Sequence, residues 1–450
     1  MNNEGQSGDP RALLVGGGKP LNGEVKISGA KNAALPLICA TILSDTPVTL
    51  LNVPLLDDVR TICEVLASMG AKCEHVGSRL TIDPTTISRQ NADYELVRKM
   101  RASFTVMGPL LAKYGRCEVA LPGGCAIGPR PVDEHLRALS ELGAVTDLRK
   151  GVVNAKADKL TGALVNFNII SVGATQNVMM AATRAEGVTT LENCAEEPEV
   201  HDLVNFLKSL GADITMSGRS IEVRGVKTMR QIEPYSIIPD RVETGTYLLA
   251  VVGTGGDVKL TGCKPAHMTS LIEKLRDMGA NIATGENMLH VSPADRPLTP
   301  ANVRTQPYPG FPTDLQPQMC ALLTRAQGVS IVTETIYEQR FSFIAELQRM
   351  GAAITQQENS AIIDGMKSRL TGAPVEGADL RGTAALTIAA LMAQGESLIS
   401  GYSHMARGYE GMVEKLSGIG AEIRLVDRSY KLKNNHNGNG NGKGNGTAHR

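Results

Sequence analysis

The stretch PGGCAIGPRPVD at 122–133 sets Cys125 directly behind two glycines and a few residues ahead of Arg130 and Asp133. A cysteine reacts as its thiolate, and a neighbouring guanidinium favours that form. Gly123 and Gly124 permit backbone conformations closed to other residues, and the prolines at 122, 129 and 131 exclude a helix interior. A loop of this composition, about 121–133, suits a lid that carries a thiol over a substrate and excludes water. Most free cysteines simply pack, so on the residues alone two readings of Cys125 stand open, reactive thiol and ordinary loop residue. The other cysteines, at 39, 63, 73, 117, 194, 263 and 320, lack such a setting and form no CxxC pair or metal-ligand spacing. They read as small core hydrophobes in a reducing compartment.

Further charged residues stand where apolar helices are about to begin. SGAKN brings Lys31 and Asn32, RKMRAS brings Arg101, PDRVETG brings Asp240 and Arg241, PGFPTD brings Asp314, and GADLRG brings Asp379 and Arg381. A second class of loop carries Asp58, then Cys125, Arg130 and Asp133, then Glu338 and Arg340, then Arg407 and Glu410. Free N–H groups at helix starts attract anions, and guanidinium forks match phosphate and carboxylate. Taken singly, each charge could be a cap or a solvated loop residue. Taken as a set, they predict a site for an anionic substrate.

The elements that position them repeat. LASMGA, ALSELGA, FLKSLGA, KLRDMGA, ELQRMGA and KLSGIGA place glycines at 70, 143, 211, 279, 351 and 420, separated by 73, 68, 68, 72 and 69 residues. Six such matches at even spacing define internal repeats. In each unit an Ala/Leu/Met-rich helix, apolar on most sides, leads into a short strand. A polar loop and an amphipathic helix follow, the helix ending at the GA pair, and two short strands return the chain. The fold class is therefore α/β, six βαβαββ-like units arranged as two domains of three. One domain is expected over 31–239 and the other over 1–30 plus 240–433, with a ligand cleft between them. The lead LNGEVKISG at 21–29 is expected to pair with the last unit and close the chain on itself. Residues 434–450, rich in Gly and Asn, are expected to be disordered.

Composition narrows the function. The 450 residues carry 46 Lys+Arg and 46 Asp+Glu, a formal net charge of +0 that gives no electrostatic hold on nucleic acid or membrane. Tryptophan is absent and aromatic residues total 3%, which disfavours base-stacking platforms. No basic-then-apolar leader opens the chain and no apolar run reaches about 18 residues, so a cytoplasmic location is expected. VGGGKP at 15–20 lacks the spacing of a phosphate-binding P-loop. His135, His201 and His404 form no metal motif, and neither a metal nor a cofactor is called for.

PGGCAIGPRPVD together with SGAKNAALP, ISVGATQN, PDRVETGT, PGFPTDLQ, ETIYEQR, ADLRG and ARGYE resembles the enolpyruvyl transferase family, in its UDP-N-acetylglucosamine 1-carboxyvinyltransferase branch, from about residue 13 to 427. The resemblance implies an inside-out α/β barrel. It implies transfer of the enolpyruvyl group of phosphoenolpyruvate to the 3-hydroxyl of UDP-N-acetylglucosamine by addition and elimination, with release of phosphate. It makes Cys125 the proton donor to the phosphoenolpyruvate methylene, able to form a covalent adduct and to be alkylated by fosfomycin. Lys31, Arg130 and Arg407 become cations around phosphoenolpyruvate, with Asn32 beside Lys31, and Asp314 becomes the base at the sugar hydroxyl. Asp379 and Arg381 become a further pair in the cleft. Arg101, Arg130, Pro131, Val132, Asp133, Glu134, Ser171, Val172, Gly173 and Ile336 fall on the nucleotide-sugar side, and Arg340 joins the substrate-binding set. The chain departs from the family pattern at Ile169, where lysine is usual, at Leu55 and Asp57 in place of a lysine-bearing form, at Glu134, and at Ala406, which leaves Arg407 without its neighbouring acid. Two alternatives stand: an enolpyruvyl transferase with another phosphorylated or nucleotide acceptor, and a non-catalytic ring-like binding protein.

Overall fold

A computed structural model describes residues 9–92, 96–97, 101–121 and 132–432, with 101–103 as backbone only. The Cys125 loop residues 122–131 and the segment 434–450 lie outside the described residues.

Each repeat is built on a helix that water scarcely touches. Lys31–Ala40, Met107–Tyr114, Val172–Ala182, Arg241–Thr254, Gln316–Leu323 and Leu380–Met392 are the six core helices. They show little segregation of apolar from polar faces because almost every side is covered. Close approach of two of them depends on glycine. A Cβ at Gly108 would lie 2.1 Å from the carbonyl oxygen of Asn177 on the neighbouring core helix. The outer helices Asp57–Ser68, Asp133–Glu141, Pro198–Ser209, Thr269–Asp277, Ile344–Arg349 and Met412–Gly418 bury one face only. Each ends just before its GA pair, whose glycine takes a left-handed φ of 93–108°.

The strands assemble into six small sheets among the described residues, five of four strands and one of three. In each four-stranded sheet a short lead strand runs parallel to the strand that follows a core helix, a third strand adds antiparallel to that one, and the fourth adds antiparallel to the third. Thus Leu164–Asn166 pairs parallel with Val188–Glu192, which continues into Ser220–Arg224 and Asp213–Ser217. This is the expected α/β class, with helices inside and sheets outside.

Closure of the chain differs from the expectation by one strand. Arg11–Gly16, not the 21–29 stretch, joins the last repeat, pairing antiparallel with both Glu396–Ser400 and Glu422–Asp427. All four residues of ALLV are buried in the sheet, whereas NGEVK exposes every residue but Val25. Asn22–Lys26 pairs instead with Asp257–Thr261 of the fourth repeat. Reciprocally, Tyr235–Ser236, which precedes the fourth core helix, pairs with Val48–Leu51 of the first repeat. Two lead strands therefore cross from one group of repeats to the other. They meet in an antiparallel bridge between Gly29 and Pro239, with Ala30 N–H donating to the Ile238 carbonyl at 2.8 Å and Asp240 N–H to that of Ser28 at 2.9 Å. On either side of this crossing lie two separate apolar cores. One gathers buried residues between Ala30 and Ile237, the other Leu13–Ile27 and Val242–Ile423.

Candidate active site

The crossing places the N-termini of two core helices side by side. Asp240 caps the fourth-repeat core helix by accepting from Val242 and Glu243 N–H at 2.7 and 2.9 Å, and it also accepts from Lys31 N–H at 3.1 Å. One carboxylate thus fixes the start of both helices, and Lys31 and Asn32 project from this fixed point.

The Lys31 ammonium is buried and sits 2.7 Å from Asp58, whose other oxygen lies 2.8 Å from Arg407 Nε. Asp58 belongs to the first turn of an outer helix in the first core, and Arg407 to the loop after Tyr402–Ala406 in the second. Arg407, without an acid at position 406, meets one from across the molecule in Asp58. Burial raises the proton affinity of Asp58, but Lys31 and Arg407 outweigh it and hold the carboxyl below its ordinary range. Burial also lowers the Lys31 ammonium, against the pull of Asp58 and with help from Arg381 and Arg407. A depression lined by Asp57, Asp58, Arg60, Ser403 and Arg407 opens beside this cluster.

A second cluster centres on Asp314, in the short 3₁₀ turn Thr313–Leu315 that opens the fifth core helix. Arg340 Nη1 and Arg381 Nη2 each lie 2.9 Å from its carboxylate, and Asn32 Nδ2 reaches it at 3.4 Å. Asn32 ties the two clusters together across the seam between the cores. Burial pushes the Asp314 carboxyl up, yet the two guanidiniums win and hold it well below the carboxylate range. Arg381 also lies over the Tyr409 ring at 5.3 Å, and Arg340 over Tyr337 at 5.7 Å. Asp379 is not a side-chain partner of Arg381. It caps the sixth core helix by accepting from the N–H groups of Arg381 and Gly382 at 2.9 and 3.0 Å, which aims the Arg381 side chain at Asp314.

The nucleotide-sugar residues expected from the sequence lie on the first core. Ser171 caps the helix that holds Val172 and Gly173 by accepting from Ala174 N–H at 3.3 Å. Gly173 faces the ring of His135, where a Cβ would stand 3.2 Å away. Val132 occupies the position just before the helix opened by the exposed Asp133 and makes no side-chain cap. Glu134 is held by Arg137 at 2.9 Å and by Asn168 N–H at 3.0 Å, so its carboxylate fastens the approach to Ile169, which is itself exposed. Ile336 stands half-exposed on the second core, its N–H donating to Glu334 at 2.7 Å. Cys125, Arg130 and Pro131 lie outside the described residues, as does the Arg101 side chain.

Three supporting residues carry no substrate role in the sequence reading: Asp58 and Glu410 stand there only among the loop charges, and Glu334 is not singled out. Glu334 is fully buried and accepts from Thr305, Thr313 and the N–H groups of Ile336 and Tyr337, setting the loop that leads to Arg340. Glu410 accepts from Leu55 N–H at 2.7 Å and from the Ser28 hydroxyl, linking the Arg407 loop to the first core and to the crossing strand. An acid that closes an apolar strand, as in SIVTE, is the kind of signal that could have marked Glu334.

Comparison with known proteins agrees with this architecture. Residues 15–416 match the family EPSP synthase (3-phosphoshikimate 1-carboxyvinyltransferase). The UDP-N-acetylglucosamine 1-carboxyvinyltransferase of Pseudoalteromonas atlantica is 47% identical over 417 residues, covering 92% of this chain and 99% of the relative. That of Halothermothrix orenii is 49% identical over 415 residues, with the same coverage. Among solved structures, the enolpyruvyl transferase NikO from Streptomyces tendae superposes with a TM-score of 0.85 at 25% identity, over 93% of this chain and 99% of that one. EPSP synthase from Acinetobacter baumannii shares the fold, with a TM-score of 0.72 at 19% identity over 93% of this chain and all of that one. The chain belongs to the EPSP synthase family of enolpyruvyl transferases.

Proposed function

We propose that this protein transfers the enolpyruvyl group of phosphoenolpyruvate to the 3-hydroxyl of UDP-N-acetylglucosamine and releases phosphate, the first committed step of peptidoglycan synthesis. The observation that carries this reading is the pair of buried cation clusters, around Asp58 and Asp314, joined by Asn32 at the seam between two cores. The names of the relatives supply the substrate class. The division into 31–239 and 1–30 plus 240–433, supported by the two apolar cores, makes this seam the cleft.

In this reading Lys31 and Arg407, with Arg130, clamp the phosphate and carboxylate of phosphoenolpyruvate. Cys125 delivers a proton to C3 as the sugar oxygen attacks C2, and Asp314 receives the hydroxyl proton. A proton then leaves C3 and the C2–O bond to phosphate breaks, restoring the double bond. Anion clamps on fixed helix starts favour such a sequence because charge moves within the substrate while the protein's dipoles stay in place. Val132, Asp133, Ser171, Gly173 and Ile336 hold the nucleotide sugar. The seven described cysteines are free of disulfides and no described helix is long and apolar enough to cross a membrane, both compatible with work in the cytoplasm.

Purified protein given both substrates should release inorganic phosphate, and should release none when either is omitted. No phosphate, or equal turnover with shikimate 3-phosphate as acceptor, would overturn the reading.

A further inference from the structure

Two of the cysteines that read from the sequence as core packing are not fully buried. Cys63 lies in the outer helix Asp57–Ser68, and Cys73 lies in the strand Lys72–Val76 that follows the Gly70 turn. The turn folds the strand back along the helix, so that Cys73 Sγ comes within 3.8 Å of the Cys63 carbonyl oxygen. That contact sets the two thiols near enough for each to shift the other's ionisation. Both keep partial contact with solvent, whereas Cys39, Cys117, Cys194, Cys263 and Cys320 are buried. Of the two thiols Cys73 ionises first, held down by its Cys63 neighbour; the same proximity, together with burial, pushes Cys63 up.

We propose that Cys63 and Cys73 form a redox-reactive dithiol that closes to an intramolecular disulfide when the protein meets a peroxide. The Cys73 thiolate attacks one peroxide oxygen, the O–O bond breaks, and a sulfenic acid forms at Cys73 with hydroxide leaving. The Cys63 sulfur then attacks the Cys73 sulfur, the S–O bond breaks, and water departs. Overall two thiols lose two hydrogens and one hydrogen peroxide becomes two waters. The bridge ties the body of the outer helix to its return strand. That helix begins at the carboxylate that holds Lys31 and Arg407, so a redox-dependent tether acts on an element of the site.

Trypsin reads this pair directly, because Lys72 separates the two cysteines into Thr61–Lys72 and Cys73–Arg79. Full-length protein treated with hydrogen peroxide and digested without reductant should yield these two peptides joined, two hydrogens lighter than their sum, and dithiothreitol should separate them. Cys63→Ser protein should form no bridge but should accumulate a sulfenic acid at Cys73 that dimedone captures. Cys73→Ser protein should react at Cys63 more slowly than wild type. Wild-type protein whose joined peptide fails to appear while Cys117 or another buried cysteine oxidises would overturn the proposal. So would Cys63→Ser protein in which Cys73 gains no dimedone adduct.

Discussion

Replacing Asp58 by asparagine removes one negative charge from between two cations without changing the side chain's size. Lys31 is nearly sequestered, its side chain 11% exposed, so its contact with Asp58 behaves as a buried pair. Breaking such a pair costs roughly 3–5 kcal/mol, because the remaining charge stays desolvated. Asparagine still offers an acceptor oxygen, which argues for the lower end. The Arg407 arm is 40% exposed and is screened by water, so it adds no more than a surface pair, about 0–1 kcal/mol. A loss near 3 kcal/mol in a body of about 200 residues lowers the unfolding midpoint by roughly 6–12 °C. Thermal unfolding of D58N against wild type measures this. Asp57→Asn is the built-in control, since Asp57 pairs with the exposed Arg60 at 2.7 Å and should cost less than about 1 kcal/mol. Inorganic phosphate or phosphoenolpyruvate should raise the midpoint of D58N more than that of wild type, because an anion replaces the missing charge. A D58N protein that melts with D57N, and gains no more from anions than wild type, would refute the assignment of Asp58 as the counter-ion of a buried site.

Asp202 is buried with its carboxylate accepting from the Tyr235 hydroxyl at 2.7 Å, and burial pushes its carboxyl from 3.8 up to about 6. A raised carboxyl favours the folded state below its unfolded pKa and loses that advantage as pH rises through the folded one. Wild-type stability should therefore fall by about 2 kcal/mol relative to Asp202→Asn between pH 4 and 6, read by denaturant unfolding across that range. Gly108→Ala forces a Cβ against the Asn177 backbone and should cost about 1–3 kcal/mol, whereas Gly418→Ala, with nothing within 4 Å, should leave the midpoint unchanged or slightly higher.

The repeat was legible because each unit ends its outer helix on a glycine that must adopt a left-handed φ, and that requirement recurs in the letters GA. The near-continuous apolar core helices announced their burial for the same reason. Which strand closes the ring was not legible. RALLVG and NGEVK both read as strands, and only the burial of ALLV between the two strands of the sixth repeat decides between them. The site's positive members stood out because lysine and arginine are conspicuous at the start of an apolar helix. Their counter-ions did not. Asp58 lies more than 340 residues from Arg407, and no local pattern states that a carboxylate will be met across the seam. Asp379 and Arg381 looked like a pair because they are neighbours in sequence, yet the first serves the backbone of the second.

The least expected feature of the site is the state of Asp314. A carboxylate gripped by two guanidiniums has little affinity for a proton, and an effective general base should have a pKa nearer that of its task. The grip is incomplete on the cationic side, since Arg340 Nε and Arg381 Nη1 are buried without partners. Each guanidinium therefore has donor capacity to spare for an anionic substrate. A phosphate or carboxylate that engages them adds negative charge within reach of Asp314 and spreads the field of both arginines over two anions. Both effects raise the proton affinity of Asp314, for the same reason that its present partners lower it. The sugar hydroxyl in turn becomes strongly acidic only as its oxygen bonds to C2, so the proton need not move before the addition is under way. On the proposed reading, Asp314 is a base that is weak alone and strengthens as substrate arrives. Asp58 stands in the same relation to Lys31 and Arg407, occupying with a protein carboxylate the cations that, on the proposed reading, an incoming anion would share.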